Sequence, residues 1–324
     1  MKKILILTLS LFISTQAFAG DQASYDVWVN QFKQKARAQG ISDTTLNAAF
    51  NGSKFKPRVI ELDRKQPESK MTFAQYKKRI VSDQRVKQGR HEFKKHRALL
   101  EEVGKAYGVQ PQYIVALWGI ETNFGSNTGG FDVIDALGTL AFEGRRAEFF
   151  GKELMNALKI IDNGHITAAN MKGSWAGAMG QSQFMPSSFN AYAQDYNRDG
   201  KKDIWGTKAD VFASAANYLS RSGWKGDEKW GRLVSTRGTF PSAWNDRKNM
   251  KSLSVWRDRG VTLPNGAPLP HADIKGALVA PDGVNGPVYM AYGNYNVIMK
   301  WNRSTYFATS VGLLADAIAA GQSF

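Results

Sequence analysis

The chain of 324 residues contains no cysteine and only four histidines. The absence of cysteine excludes disulfide bridges, thiol nucleophiles, cysteine-held zinc, iron–sulfur clusters and a lipid-modified N-terminal cysteine. Because the histidines are scattered and no HExxH motif occurs, a metal site built from histidine is not expected. The remaining composition, with 43% hydrophobic and 22% charged residues, is that of a globular protein with enough chain for one large or two to three small domains.

Hydrophobic runs long enough to span a bilayer are also absent. A short apolar run at residues 4–13 follows Lys2 and Lys3, and residues 17–19 (AFA) have the small-x-small pattern of a cleavage site. The alternative, a membrane anchor, requires a longer apolar segment. We therefore expect residues 1–19 to be a cleaved secretory signal peptide, with a mature protein that is soluble in a bacterial periplasm or outside the cell.

Negative charge is scarce relative to positive charge. The chain has 43 Lys and Arg against 28 Asp and Glu, a formal net charge of +15, and residues 54–105 hold 16 basic and 7 acidic side chains. A basic surface attracts polyanions, but an exported protein rarely meets nucleic acid. Acidic cell-wall peptides or anionic lipid headgroups are therefore the expected partners, and a merely solvated basic helical surface is the alternative.

Apolar periodicity predicts a mainly α-helical chain with a small β subdomain, an α+β fold. Residues 20–107 are predicted to be an α-helical basic region, and residues 108–223 with 291–324 a helical core. Residues 224–290 combine many Gly, Pro and Trp with short β-branched runs and are predicted to be the β subdomain, inserted before the last helices. Helical stretches are predicted at 24–50, 70–107, 132–163, 209–221 and 292–324.

Glu121 is the first candidate for chemistry. Pro111 is expected to begin a helix that ends soon after this residue. Glu121 shares one face of that helix, through spacings of i, i+3, i+4 and i+7, with Ile114, Leu117 and Trp118. A carboxyl group on an otherwise apolar and buried face has a raised pKa and suits a general acid. The alternative is a glutamate that caps the next loop or pairs with an arginine.

A segment rich in small residues, 173–188 (GSWAGAMGQSQFMPSS), is the second candidate. Small residues allow a backbone to approach a ligand closely. Ser174 and Gln183 can hydrogen-bond to sugar hydroxyl or acetamido groups, and Phe184 and Met185 offer an apolar platform for a sugar ring. The alternative is a tight crossing of two helices that requires Gly and Ala at the contact.

The run DYNRDG at residues 195–200 matches the first half of an EF-hand-type calcium loop. The oxygen donors at the matching positions are Asp195, Asn197, Asp199 and the backbone carbonyl of Lys201. Gly206 stands where such loops usually have a glutamate, and Asp210 lies farther on, where it can close a longer loop. A structural calcium ion is expected, and an Asx-rich turn without metal is the alternative.

These segments together resemble a known family. The run GIETNFG at residues 119–125 is similar to the G-[VI]-E-T-x-[FWY]-G segment of lytic murein transglycosylases of the B type, glycoside hydrolase family 103. Other segments that resemble the family, in the family's order, are 177–180 (GAMG), 183–188 (QFMPSS), the calcium loop, 216–218 (ANY) and 301–304 (WNRS). The resemblance covers about residues 25–320.

The resemblance implies a lysozyme-like helical core that cleaves the β-1,4 bond between N-acetylmuramic acid and N-acetylglucosamine in peptidoglycan. Water takes no part, and the product has a 1,6-anhydromuramoyl end. Glu121 matches the family's single catalytic acid and base. Ser174, Gln183 and Tyr218 match cleft residues that contact substrate. Further candidates for substrate binding are Phe184, Trp301, Asn302 and Tyr306. The matches to calcium ligands are Asp195, Asn197, Asp199, Lys201 and Asp210.

Two features distinguish this chain within the resemblance. Trp301 stands where the family often has a tyrosine. Since no cysteine is available for lipidation, the chain resembles the soluble periplasmic form, with no transmembrane anchor. The implied partners are peptidoglycan glycan strands and other cell-wall enzymes, not nucleic acid. A monomer is expected, and no cofactor is expected for the chemistry.

The number of carboxylates leaves alternatives open. Most glycosidases use two carboxylates separated by about 5 to 9.5 Å, whereas this sequence offers one convincing acid. Asp132 and Asp135 follow a Gly-rich turn and are the remaining candidates for a second one. A hydrolytic muramidase that uses water and one of these aspartates is therefore the first alternative. A non-catalytic peptidoglycan-binding protein, with a structural Glu121, is the second.

Overall fold

The computed structural model describes residues 20–65, 71–238, 240–284 and 286–320. The predicted signal peptide, residues 1–19, lies outside the described residues. Within the described ranges, no helix is both long and apolar enough to cross a membrane.

Helices make up most of the described chain. In order they are α1 (Gln22–Ala38), α2 (Asp43–Phe50), α3 (Pro57–Arg64), α4 (Phe73–Ile80), α5 (Asp83–Lys95), α6 (Arg97–Tyr107), α7 (Pro111–Thr122), α8 (Val133–Glu143), α9 (Ala147–Asp162), α10 (Pro186–Tyr192), α11 (Lys208–Arg221), α12 (Leu253–Asp258), α13 (Gly293–Trp301) and α14 (Thr305–Ala319). The prediction of a mainly helical fold is confirmed.

Local capping chemistry sets several helix ends. The Ser42 side chain accepts the backbone N–H of Thr45 at the start of α2. Gly108 has a left-handed backbone (φ 65°) after the last residue of α6, and Pro111 occupies the first turn of α7. The stretch predicted as helical at 132–163 is two helices, because Gly144 with φ 99° ends α8.

The strands of the described residues form two sheets. In chain order the strands are β1 (Phe131–Asp132), β2 (Lys172–Gly173), β3 (Gly231–Thr236), β4 (Lys251–Ser252), β5 (Val261–Thr262), β6 (Lys275–Val279) and β7 (Val288–Ala291). The larger sheet has the order β4-β6-β7-β3-β5, and each neighbouring pair is antiparallel. This sheet with α12 encloses a core around Trp256, so the predicted small β region before the last helices is confirmed as a feature of the fold.

The smaller sheet holds together two segments that contain candidate functional residues. The β1–β2 pair joins Phe131 to Gly173, which ties the loop after α7 to the start of the small-residue segment. The approach is so close that a Cβ at Gly129 would lie 2.2 Å from the Gly173 carbonyl oxygen. A side chain at residue 129 is therefore excluded while this contact is kept.

Among the described residues, two hydrophobic cores are built mainly from helices. The first surrounds α7 with residues of α5, α6, α11, α13 and α14, and the second joins α1 and α2 to α8, α9 and residues 168–204. Phe93 and Leu100 belong to the first core, while Tyr25 and Leu46 belong to the second. Residues 20–107 therefore pack into both cores, and the sequence boundaries at 107 and 223 remain a prediction about domains.

Candidate active site

Glu121 lies one residue before the end of α7, where the helix stops abruptly. Asn123 and Phe124 both have left-handed backbones, with φ of 48° and 59°, and the Phe124 ring folds back over the helix. A Cβ at Gly119 would lie 2.7 Å from that ring, so Gly119 makes the reversal possible. The helix end therefore presents the Glu121 side chain at a turn, as the sequence predicts.

The Glu121 carboxyl group is half-buried and has one strong partner. Trp301 Nε1 donates a hydrogen bond of 2.7 Å to Glu121 Oε1. A cavity of about 10 Å³ adjoins the carboxyl group, and its lining includes the predicted face residues Ile114, Leu117 and Trp118. Burial raises the pKa of Glu121 from its ordinary 4.5 to about 7, while the Trp301 hydrogen bond opposes the rise. Glu121 is thus partly protonated at neutral pH, as a general acid requires.

The two aspartates that might supply a second carboxylate have structural partners. Asp132 accepts the backbone N–H of Asp135 at the start of α8 and forms an ion pair with Lys172 at 3.2 Å. Asp135 is buried and accepts hydrogen bonds from Ser53 Oγ (2.9 Å) and the Lys54 backbone (3.0 Å). Both carboxylates therefore anchor other segments, and no acidic residue is among the causes of the Glu121 pKa shift.

The small-residue segment forms a tight turn beside α7. Ser174 Oγ accepts the backbone N–H of Ala178 at 3.0 Å. Gln183 has a left-handed backbone (φ 48°), and its Nε2 donates to the carbonyls of Thr128 and Gly180. Ser174 and Gln183 thus shape the turn. The side-chain oxygen of Gln183, Oε1, is a hydrogen-bond acceptor.

Aromatic rings connect this segment to Glu121. The centroid of Trp301 lies 5.3 Å from that of Phe184 and 4.8 Å from that of Tyr218. Tyr218 donates a hydrogen bond of 2.7 Å to the Lys300 carbonyl, and burial raises its pKa to about 12. Phe184 is buried. The structure therefore brings Trp301, Phe184 and Tyr218 together next to the candidate acid.

Two predicted binding residues lie beyond this cluster. Asn302 is exposed, and its Oδ1 accepts the backbone N–H of Ser304 at 3.0 Å. Tyr306 packs against Phe73 and Tyr76 of α4. Neither residue lines the cavity beside Glu121, and their contact with substrate remains a prediction.

The predicted calcium loop is closed by its own side chains. Asp195 accepts the backbone N–H groups of Asp199 and Gly200, and Asp199 accepts that of Lys201. Asn197 donates its amide to Asp199 Oδ2 at 3.0 Å. The described residues contain no gathered group of three or more His, Asp or Glu side chains suited to a metal. The donors in the loop are two carboxylates, an amide and a carbonyl, all hard oxygen atoms of the kind that calcium binds.

Asp210 connects this loop to α11. Its carboxylate is fully buried and accepts the backbone N–H groups of Tyr196 and Asp203, each at 2.8 Å. Burial raises the pKa of Asp210, with a further contribution from the negative charge of Asp195. Both Asp210 oxygens therefore hold the backbone on either side of the loop, and the role of Asp210 as a calcium ligand remains a prediction.

The sequence did not single out three residues around the site, two of which hold neighbouring segments together. Gln181 accepts from Trp118 Nε1 (2.9 Å) and donates to the Trp205 carbonyl (2.6 Å), which links α7 to the loop before α11. Ser182 borders the cavity beside Glu121, and its buried hydroxyl has no hydrogen-bond partner among the described residues. Asp203 Oδ2 accepts a hydrogen bond from the backbone N–H of Thr207, just before α11 begins. The position of the first two within the GAMGQSQF run was the available signal.

Comparisons with known proteins agree with this geometry. A family model described as the transglycosylase SLT domain matches residues 24–316. The chain is 34% identical over 246 residues to the membrane-bound lytic murein transglycosylase B of Escherichia coli strain K12, covering 75% of this chain. It spans 66% of the length of that relative.

Solved structures give the same result for the fold. The structure of SltB3 from Pseudomonas aeruginosa in complex with NAG-anhNAM-pentapeptide matches with a TM-score of 0.89 and 41% identity, covering 93% of this chain and 80% of that chain. An Escherichia coli lytic transglycosylase in complex with calcium matches with a TM-score of 0.77 and 28% identity, covering 93% and 94%. The fold is therefore the lysozyme-like fold of lytic transglycosylases. The chain belongs to the transglycosylase SLT domain family.

Proposed function

We propose that the protein is a lytic transglycosylase that cleaves the β-1,4 bond between N-acetylmuramic acid and N-acetylglucosamine in peptidoglycan and forms 1,6-anhydromuropeptides. The proposal rests on the Glu121 carboxyl group, which is half-buried at the end of α7. Burial, and not the charge of a neighbouring acid, raises its pKa to about 7. One such group can serve first as an acid and then as a base.

The proposed reaction uses Glu121 twice. The protonated carboxyl group donates its proton to the glycosidic oxygen, and the bond from that oxygen to the muramoyl C1 breaks. The substrate's 2-acetamido group or nearby dipoles stabilise the positive charge at C1. The Glu121 carboxylate then takes the proton of the muramoyl C6 hydroxyl while the C6 oxygen bonds to C1. Glu121 is protonated again at the end, and no water is consumed.

Trp301 favours the ionised form of Glu121. Its indole N–H lies 2.7 Å from Glu121 Oε1 and stabilises the carboxylate after the first step. We infer that the half-buried rings of Trp301 and Tyr218 form an apolar face for a sugar, with the buried Phe184 ring packed behind them, since aromatic faces pack against sugar C–H groups. The remaining proposed cleft residues are Ser174, Gln183, Asn302 and Tyr306.

We propose a structural calcium ion in the 195–201 loop. The supporting observations are the hard-oxygen donors Asp195, Asn197, Asp199 and the Lys201 carbonyl, together with the left-handed Gly200 (φ 90°) that turns the loop. A relative was solved in complex with calcium. The bound ion would neutralise the loop carboxylates without entering the reaction. Chelation should lower the melting temperature and leave the product type unchanged, whereas an unchanged melting temperature would contradict calcium binding.

The remaining proposals concern the setting of the enzyme. We infer export through the residues 1–19 signal peptide to the periplasm, with glycan strands and other cell-wall enzymes as partners and a monomeric state. N-terminal sequencing of the protein recovered from an exporting cell tests the first of these. A mature chain that begins at Gly20 supports it, and retention of Met1 contradicts it.

The main alternative is hydrolysis with water as nucleophile. The contacts of the two candidate second carboxylates argue against hydrolysis. Asp132 forms an ion pair with Lys172, and Asp135 accepts hydrogen bonds from Ser53 and Lys54. Digestion of purified peptidoglycan in water enriched in heavy oxygen separates the two reactions. Transglycosylation leaves the new muramoyl ends without heavy oxygen, and incorporation of one heavy oxygen at each new end would establish hydrolysis. A non-catalytic binding protein would release no products in either water.

A further inference from the structure

A second concave site lies between α4, the start of α5 and the start of α14. It has a volume of about 660 Å³. The lining includes Tyr76, Arg79, Ile80, Arg85, Ser304 and Tyr306. We call it the arginine groove. None of these residues takes part in the cavity beside Glu121.

Local contacts fix the walls of the arginine groove. Asp282 accepts the backbone N–H groups of Phe73 (2.5 Å) and Ala74 (3.1 Å) at the start of α4. The Tyr306 hydroxyl donates to the same Asp282 carboxylate at 3.3 Å. The rings of Tyr306 and Tyr76 lie 5.7 Å apart. The α4 helix and the start of α14 are therefore held in a defined relation, and the concave shape is built into the fold.

Among the described residues, the two arginines of the arginine groove form no ion pair, and the Asp282 carboxylate in its wall is held by Tyr306 and by the start of α4. Arg85 Nη1 donates to the carbonyls of Ile80 (2.5 Å) and Arg79 (3.3 Å), which fixes its guanidinium against the end of α4. Its Nε is buried and has no partner among the described residues. Burial lowers the pKa of Arg85, and the positive charge of Arg79 adds to that effect.

No carboxylate of the described chain pairs with either guanidinium. Among the ion pairs of the described residues, neither Arg79 nor Arg85 appears. Arginine stays protonated in proteins, so two positive charges line the arginine groove, one held at Arg85 by backbone carbonyls and one exposed at Arg79. Guanidinium groups bind planar anions such as carboxylates through paired hydrogen bonds, so an anion in the arginine groove would be met by the outer nitrogens of these arginines and not by the buried Arg85 Nε.

We propose that the arginine groove binds a carboxylate of the peptide stem that peptidoglycan carries on its muramoyl residues. This inference rests on the proposed function and names a second part of the same substrate. Arg79 and Arg85 would hold the carboxylate, while Tyr76 and Tyr306 would flank the apolar part of the peptide.

The position of the arginine groove fits this ligand. Ser304 follows Trp301 by three residues, so their backbones lie within roughly 11 Å of each other. A five-residue stem in extended form spans up to roughly 17 Å. An extended stem is therefore longer than the backbone separation between Trp301, whose indole contacts the acid, and Ser304, which lines the arginine groove.

The shape favours a peptide over a membrane. Lipid headgroups are met by basic side chains that project from an exposed face, whereas the Arg85 guanidinium is half-buried and held by carbonyls inside a concavity. The tyrosine pair adds apolar contact area of the kind that an extended peptide uses.

The test compares two variants of α4 on two substrates. Arg79→Glu reverses a charge that lines the arginine groove, and Lys77→Glu makes the same change at an exposed position of the same helix that does not line it. The substrates are purified peptidoglycan strands with their peptide stems and the same strands after an amidase has removed the stems. The rate at which anhydro products form gives kcat/KM for each combination of variant and substrate. The melting temperature of each variant checks that it is folded.

The proposal predicts that Arg79→Glu lowers kcat/KM about tenfold on stem-bearing strands and leaves it unchanged on stripped strands. Lys77→Glu should leave both values unchanged. Equal losses on both substrates, or no loss on either, would overturn the proposal. Wild-type protein that forms no anhydro product from either substrate would contradict the proposed function instead, so the two failures are distinct.

A direct binding measurement completes the test. Isothermal titration with a free stem pentapeptide should show binding to wild type and to Lys77→Glu, and a loss of at least tenfold for Arg79→Glu and Arg79→Gln. If anionic vesicles of phosphatidylglycerol bind wild type and not Arg79→Glu, while the pentapeptide binds neither, the arginine groove is a lipid site and the peptide proposal is wrong.

Discussion

Replacing Glu121 with glutamine should stabilise the folded protein at alkaline pH and not in acid. Burial raises the pKa of this carboxyl group to about 7 from an ordinary 4.5. Below the lower value the group is neutral in both the folded and the unfolded chain, so it adds no pH dependence. Between the two values the unfolded chain releases its proton while the folded chain keeps it. The wild-type free energy of unfolding therefore falls as pH rises through this window.

The size of the effect follows from the same pKa values. A tenfold change in proton affinity corresponds to about 1.36 kcal/mol, so the full difference is roughly 3 kcal/mol above neutral pH. This is an upper limit, because the Glu121 side chain is half-buried and water screens part of its charge. Glutamine keeps an oxygen that can accept the hydrogen bond from Trp301. The substitution therefore removes the buried charge and retains this contact.

The assay is urea unfolding of both proteins at about pH 4 and about pH 8, with the free energies compared at equal ionic strength. The exposed Glu101→Gln variant is the control, and its difference from wild type should be small at both pH values. Glu121→Gln should match wild type in acid and exceed it by roughly 2 to 3 kcal/mol at the higher pH. A variant that is equally or less stable than wild type at both pH values would refute the buried, partly protonated acid.

Three further outcomes follow from the structure. Trp301→Phe removes the hydrogen bond that lowers the Glu121 pKa, so the alkaline limb of the kcat/KM profile should move to higher pH; an unmoved limb would contradict this role. Asp210→Asn leaves one of two backbone N–H groups without an acceptor and should lower the free energy of unfolding by about 1–3 kcal/mol in urea titrations. Ser182→Ala should be neutral or stabilising by the same measurement, because its buried hydroxyl has no partner among the described residues.

The parts of the fold that depend on local chemistry could be predicted from the sequence. The helix from Pro111 to Thr122 has the predicted bounds, since proline at the first turn and the GIETNFG run carry its start and stop signals. The β segment was visible because Gly, Pro and β-branched residues change the composition after Trp224. Residues 132–163 form two helices because Gly144 ends the first one. Apolar periodicity continues on both sides of Gly144, so the sequence pattern alone predicts one continuous helix.

The contacts that define the acid's environment could not be predicted from the residues alone. Trp301 donates to Glu121 across 180 positions of sequence, and no local pattern encodes such a pairing. Asp135 shows the same limit in reverse. It follows a Gly-rich turn and looked available for catalysis, yet it holds Ser53 and Lys54 more than 80 positions away. Only tertiary packing distinguishes a free carboxylate from one that anchors another segment.

The most direct test of the central claim is mass spectrometry of the soluble products released from purified peptidoglycan by wild type and by Glu121→Gln. The variant should be as well folded as wild type by circular dichroism, so a loss of product reports on chemistry. We predict 1,6-anhydromuropeptides from wild type and none from Glu121→Gln. Reducing-end products from wild type, or anhydro products at an undiminished rate from the variant, would contradict a single-acid transglycosylase built on Glu121.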